Sequence, residues 1–215
     1  MIKFLLPGAL FISVLLQAQN PLRFKDEINI MTAGDSAVNK KNIILFTGSS
    51  SIRIWKSLKQ DFPNHNILNR GFGGSEMSDL VYFADQLIVP YRPKQIFIYE
   101  GDNDLGSGKN PDEILKQAGQ VLSLIRQKLP KNTKVYFISP KPSILRWPLK
   151  DKYESFNQKM KLWCAQNKNV TFIDVWSPML EKDGTVMKDL FLKDGLHMNQ
   201  KGYAIWTKVI GEYIR

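Results

Sequence analysis

The sequence predicts an α/β fold: a mostly parallel sheet of five strands covered by helices on both faces. Three observations carry this prediction. Five short apolar runs, bounded by turn residues, read as buried strands. Stretches with helical spacing separate them, and that alternation is the pattern of parallel sheets with crossover helices. The residues with unusual chemistry follow the strands, and in such sheets ligands sit in the crevice outside the strands' carboxyl ends.

The elements run in order. Residues 19–41 are polar and read as an irregular lead-in with room for one short helix. The first strand is 42–46, an apolar run stopped by Thr47-Gly48, and helical spacing follows from Ile52 to Leu58. The second strand, 66–69, closes on the glycine cluster Gly71, Gly73 and Gly74. An amphipathic helix from Met77 to Val89 stops at Pro90, because proline cannot continue it. The third strand is 95–99. A helix from Pro111 to Leu129 opens on Pro-Asp-Glu, which suits a first helical turn. The fourth strand is 134–138, a helix covers 151–167, the fifth strand is 170–173, and a last helix covers 199–214.

Composition narrows the function. The chain has 215 residues, 43% hydrophobic and 23% charged, which suits one globular domain and excludes a disordered, collagenous or coiled-coil chain. A single cysteine, Cys164, rules out a disulfide framework and a cysteine-rich zinc site within one chain. It lies on a predicted helix and is expected to be a buried, inert thiol. Two histidines rule out a three-histidine metal site and shorten the search for a general base. His65 precedes the second strand, at the wrong edge of the sheet for the site, and reads as a surface residue. The net charge is +10, but the basic residues are scattered and form no stripe interleaved with aromatics, so no nucleic-acid partner is expected.

Residues 1–18 have the pattern of a secretory signal peptide: Lys3, an apolar run from Phe4 to Leu16, then Gln17-Ala18. The run is short for a membrane span of about 20 residues. An exported protein, periplasmic or secreted, with no stable membrane anchor is expected.

Four segments carry the chemistry. After the first strand, Thr47-Gly48-Ser49-Ser50-Ser51 turns the chain into a helix and exposes a serine near a helix start, where negative charge is favoured. The final glycine of the Gly-x-Ser-x-Gly elbow is absent, since Ile52 stands there. After the second strand, the glycines of Asn69-Arg-Gly-Phe-Gly-Gly74-Ser75 allow the backbone to approach a ligand; Glu76 stands where a dinucleotide fingerprint needs glycine. After the third strand, Glu100-Gly101-Asp102-Asn103-Asp104 offers a side-chain amide able to donate to an oxyanion. It is not a calcium loop, because Ser107 occupies the position that requires glycine. Before the last helix, Asp194-Gly-Leu-His197 can put a carboxylate against an imidazole, fixing its tautomer. Together these supply a nucleophile, oxyanion donors, a base and its orienting carboxylate.

These four segments resemble the blocks of the GDSL-type, or SGNH, hydrolases, a family of serine esterases and acylhydrolases. Gly48-Ser49-Ser50 resembles the first block, which implies Ser50 as nucleophile, although Ser49 replaces the family's aspartate. Gly74 matches the second block and Gly101-Asp-Asn103-Asp104 the third, implying an oxyanion hole from the Ser50 and Gly74 backbone N–H groups and the Asn103 side chain. Asp194-Gly-Leu-His197 matches the last, implying a Ser50–His197–Asp194 triad. The resemblance covers residues 42–214 and implies a flavodoxin-like three-layer α/β/α sandwich, with residues 42–215 as the hydrolase domain. Phe46 to Trp55, with Ser139-Pro-Lys-Pro-Ser143, is also similar to a platelet-activating-factor acetylhydrolase-like branch of exported members. The implied activity is hydrolysis of short acyl esters, acetyl above all, on a small molecule or glycan, through an acyl-enzyme and without metal or organic cofactor. A lysophospholipase or thioesterase, and a glycan-binding module without turnover, are the competing expectations.

Overall fold

The computed structural model describes residues 20–215. The proposed signal segment therefore lies outside the described residues. Five parallel strands, β1 (Ile44–Gly48), β2 (Ile67–Gly71), β3 (Gln95–Tyr99), β4 (Lys134–Ile138) and β5 (Val170–Ile173), form one sheet in the order β2-β1-β3-β4-β5. That order reverses direction between β1 and β3, so the loops leaving those strands diverge and open a crevice.

Alternation along the strands builds two apolar layers. Leu45, Ile96, Ile98, Val135 and Phe137 face one side, under α1 (Lys25–Thr32), α4 (Met77–Leu87), α6 (Pro111–Lys128) and α7 (Lys150–Ala165). Ile44, Phe46, Phe97, Tyr99, Tyr136 and Ile138 face the other, under α2 (Ser50–Arg53), α3 (Leu58–Asp61) and α8 (Gln200–Gly211). Side chains of period two on a two-faced sheet give this result. On the second face Phe46 and Phe97, paired in register, stack at 4.6 Å, and Phe97 stacks on Tyr136 at 4.5 Å. This ring ladder locks three neighbouring strands in one register.

The structure departs from the sequence expectations in several places. β1 and β2 extend to Gly48 and Gly71, because strand ends follow the ladder rather than the apolar run. The expected helix from Ile52 to Leu58 is two short helices. Trp55 turns inward between them, packing edge-on against Trp206 at 5.7 Å and donating from Nε1 to Asp61 Oδ2 at 2.6 Å. Residues Asp102–Gly106, read as a polar loop, form the short helix α5. The lead-in holds the one short α-helix for which it has room, α1, and is anchored to the core: Phe24 and Ile28 are buried in the first apolar layer, and Phe24 meets Phe72 edge-on at 5.1 Å. His65 is half-buried at the amino end of β2. Cys164 is a buried free thiol whose pKa burial pushes up to about 12, so it is not a thiolate at neutral pH. Among the described residues, no helix is long and apolar enough to cross a membrane.

Candidate active site

Ser50 is the first residue of α2, directly after β1. Gly48 makes that turn: its φ is +124°, and it lies so close to β3 that an added Cβ would meet the Tyr99 carbonyl oxygen at 2.0 Å. Only glycine fits this position. The Ser49 N–H donates to the same carbonyl at 3.0 Å, so the chain leaves the sheet edge with Ser50 projecting forward.

The Ser50 Oγ lies 3.0 Å from His197 Nε2. His197 Nδ1 lies 2.6 Å from Asp194 Oδ2. The other carboxylate oxygen, Asp194 Oδ1, accepts from the Leu196 and His197 backbone N–H groups, both at 2.9 Å. Three donors from its own turn thus hold Asp194. Desolvation is the largest single influence and raises this carboxyl, but the bonds from His197 and Leu196 together outweigh it, keeping the carboxyl down at about 2. It is therefore ionised across the neutral range. An ionised carboxylate on Nδ1 selects the tautomer with the proton there, and leaves Nε2 with a lone pair facing the serine hydroxyl.

Donors for developing negative charge lie around the same hollow, a depression of about 470 Å³ lined by Ser50, Gly73, Gly74, Asn103, Leu192 and His197 among others. Ser50 N–H, at a helix start, and Gly74 N–H have no acceptor among the described residues. Gly74 sits at φ +69°, a left-handed conformation that favours glycine. Asn103, on α5, donates one Nδ2 hydrogen to the Ser75 carbonyl at 2.8 Å, and its Oδ1 accepts from Arg146 at 2.8 Å. The second Nδ2 hydrogen is left unspent. All five residues named from the sequence, Ser50, Gly74, Asn103, Asp194 and His197, are thus gathered at one end of the sheet.

Two groups here had no sequence signal. Glu27, from α1, reaches across to the hollow, ion-paired with Arg53 Nε at 2.9 Å and accepting from the Gly73 N–H at 3.2 Å. Behind Asn103 lies a buried cluster. Asp102 accepts from Tyr99 and Tyr153 hydroxyls at 2.8 and 2.7 Å, and pairs with Lys141 at 3.1 Å and Arg146 at 2.5 Å. Burial alone would raise the Asp102 carboxyl, but the two cations and two hydroxyls outweigh it and hold it far below the usual carboxylate range. Glu100 has the opposite fate. It is fully buried, and desolvation with the nearby Asp104 carboxylate raises its pKa well above normal. The Ser75 hydroxyl donates to it at 2.6 Å, which steadies the chain just after Gly74. Among the described residues, no group of three or more His, Cys, Asp and Glu side chains is placed to hold a metal ion.

A serine–imidazole–carboxylate chain beside converging donors, on this strand order, points to acyl transfer. A family model for GDSL-like lipases and acylhydrolases matches residues 32–205. The chain belongs to this family. It is an ester-bond hydrolase with the family's α/β fold. The alpha2 subunit of platelet-activating factor acetylhydrolase IB from Rattus norvegicus is 25% identical over 189 residues, spanning 82% of this chain and 77% of that protein. A GDSL-like lipase from Bacteroides thetaiotaomicron superposes with a TM-score of 0.73 at 21% identity, covering 90% of this chain and 96% of its own. A catalytic mutant of an acetylxylan esterase from Geobacillus stearothermophilus superposes with a TM-score of 0.65 at 14% identity, covering 80% of this chain and 93% of its own. At these identities the two structural likenesses concern the fold.

Proposed function

We propose that this acylhydrolase removes short acyl groups, acetyl above all, from hydroxylated substrates such as glycans, with Ser50 as nucleophile. The observation that carries the proposal is the continuous chain Ser50–His197–Asp194 beside three unspent donors. His197 Nε2 takes the hydroxyl proton as Ser50 Oγ attacks the ester carbonyl carbon. The tetrahedral oxygen gains its charge near the Ser50 and Gly74 N–H groups and the free Asn103 amide hydrogen, which stabilise it without reorganising. His197 then protonates the departing alcohol, and Asp194 stabilises the imidazolium in between. Water, deprotonated by the same imidazole, attacks the acyl-enzyme and restores the free serine.

Two considerations support a short acyl group and a hydroxylated alcohol. Two of the three relatives described above are, by name, an acetylhydrolase and an acetylxylan esterase, and the third is a GDSL-like lipase. The rim of the hollow also carries Glu27 and Arg53, an acceptor and a donor side by side, whose opposite charges favour vicinal hydroxyls over a net anion. The Arg53 side chain is 53% exposed and pairs with Glu27 through Nε at 2.9 Å.

The test is a substrate series: p-nitrophenyl acetate, butyrate and octanoate, and an acetylated xylo-oligosaccharide. The acetate should be turned over fastest among the three activated esters. Arg53→Ala should raise KM for the oligosaccharide about tenfold, the effect of losing roughly one charge-assisted hydrogen bond, and should raise it less for p-nitrophenyl acetate. A preference for octanoate would shift the assignment to lipid esters. Equal KM changes on both kinds of substrate would remove the rim pair from substrate recognition.

A further inference from the structure

We propose that Arg146 is a positioning residue for the oxyanion-binding amide of Asn103, setting which end of that amide faces the substrate and polarising its N–H. The inference rests on the assignment of Asn103 as an oxyanion donor made above.

A carboxamide can occupy its site in two orientations of opposite polarity, and only one presents hydrogen to an oxyanion. Arg146 is donor-only, so its 2.8 Å contact requires the oxygen of Asn103. The Ser75 carbonyl is acceptor-only, so its 2.8 Å contact requires the nitrogen. Both neighbours demand the same orientation, and the hydrogen left over belongs to an amide that lines the same hollow as Ser50 and His197. A guanidinium bound to the amide oxygen also draws electron density from the nitrogen, and charge-assisted bonds of this kind are roughly twice as strong as neutral ones.

Arg146 is itself held with little freedom. One terminal nitrogen, NH1, binds both Asp102 Oδ1 at 2.5 Å and the Asp102 carbonyl at 2.7 Å, while NH2 binds Asn103. Asp102 is anchored from three further elements by Tyr99 of β3, Tyr153 of α7 and Lys141 after β4. The guanidinium passes against Gly106 of α5, where an added Cβ would lie 2.8 Å from Nε. The Leu145 N–H beside it donates to the Gly195 carbonyl at 3.0 Å, within the turn between Asp194 and His197. One short segment thus braces the oxyanion amide and the loop of the general base together. A lysine could satisfy Asp102 or Asn103, but a single ammonium cannot reproduce the planar fork that spans both.

The experiment is a double-mutant cycle on the full chain, read as kcat and KM for p-nitrophenyl acetate, with Tm measured for every variant. Asn103→Ala should lower kcat by about 10²–10³. Arg146→Gln and Arg146→Lys should each lower kcat about tenfold with KM unchanged, the size of one charge-assisted contribution. Adding either change to Asn103→Ala should cost less than a further twofold, because the group Arg146 acts through is gone. If Arg146→Gln does not fold, Arg146→Lys keeps a cation opposite Asp102 and carries the test. The proposal is overturned if the Arg146 changes leave kcat intact, act through KM, or cost as much with Asn103 removed as with it present. If Asn103→Ala itself leaves kcat unchanged, the oxyanion assignment fails and the proposal with it. A large loss in Asn103→Ala with none in the Arg146 variants sinks the proposal alone.

Discussion

Ser50→Ala is expected to lower kcat for p-nitrophenyl acetate by about 10⁶-fold, the scale on which serine hydrolases lose their nucleophile. The reason is local. Among the described residues Ser50 Oγ makes one side-chain hydrogen bond, to His197 Nε2, and Ser50 is the only hydroxyl side chain lining the hollow. Its removal leaves no buried polar atom stranded, because His197 is 27% exposed and water can take the hydroxyl's place. Tm should therefore stay within about a degree, which separates loss of chemistry from loss of fold. Asp194→Ala should cost less, about 10⁴ in kcat, since Ser50 and His197 remain but the imidazole loses its tautomer and its counter-charge. Residual Ser50→Ala activity above a hundredth of wild type, in protein free of contaminating esterase, would exclude this serine as nucleophile.

Gly48→Ala is expected to be the most damaging single methyl group in the chain's centre. At φ +124°, an L residue is strained by about 1–3 kcal/mol before any contact is counted. The new Cβ would also fall 2.0 Å from the Tyr99 oxygen and 2.7 Å from its carbonyl carbon, both main-chain atoms of the neighbouring strand. Neither can rotate aside, so β1 and β3 must part at their carboxyl ends. That breaks the 3.0 Å bond from Ser49 N–H to the Tyr99 carbonyl, which aims Ser50. A total cost of about 4–5 kcal/mol puts this among the exceptional substitutions. For a chain of this size it lowers Tm by about 10 °C or more, with activity falling alongside. Thermal melts by circular dichroism measure this directly. The comparison is Gly119→Ala in α6, where no atom lies within 4 Å of the added carbon and helix propensity makes the change neutral or stabilising. A Gly48→Ala protein with the wild-type Tm would show that the two strands can separate there at no cost.

The layout of the sheet was legible because its signals are local. The run 95–99 is apolar from Ile96 to Tyr99, is followed by Gly101, and becomes β3 at the predicted bounds. Runs 134–138 and 170–173 likewise become β4 and β5. The site was legible for a related reason: in a parallel sheet, every strand end opens onto the same edge, so residues far apart in sequence meet there. Ser50 and His197 are 147 positions apart and 3.0 Å apart in space, and each could be marked from its own neighbours.

The sequence by itself determined the strand and helix rhythm and the edge where chemistry gathers, since both depend on short-range pattern, while the choice of Ser50, Gly74, Asn103, Asp194 and His197 as candidates rested on the resemblance of their blocks to a family. Only the tertiary structure decided the rest. Asn103 could be named, but not which of its amide atoms faces the hollow, because that depends on Arg146 and Ser75, contributed by segments distant in the chain. Asp102 reads as an ordinary turn residue until Lys141, Tyr99 and Tyr153 enclose it. Glu27 belongs to a polar lead-in until Phe24 and Ile28 bury its flank and carry it to the rim. Periodicity reports which face a residue takes. The partner across that face, and with it the polarity and charge a side chain meets, is set by the closure of the fold, where long-range contacts compete and burial alters the cost of every charge.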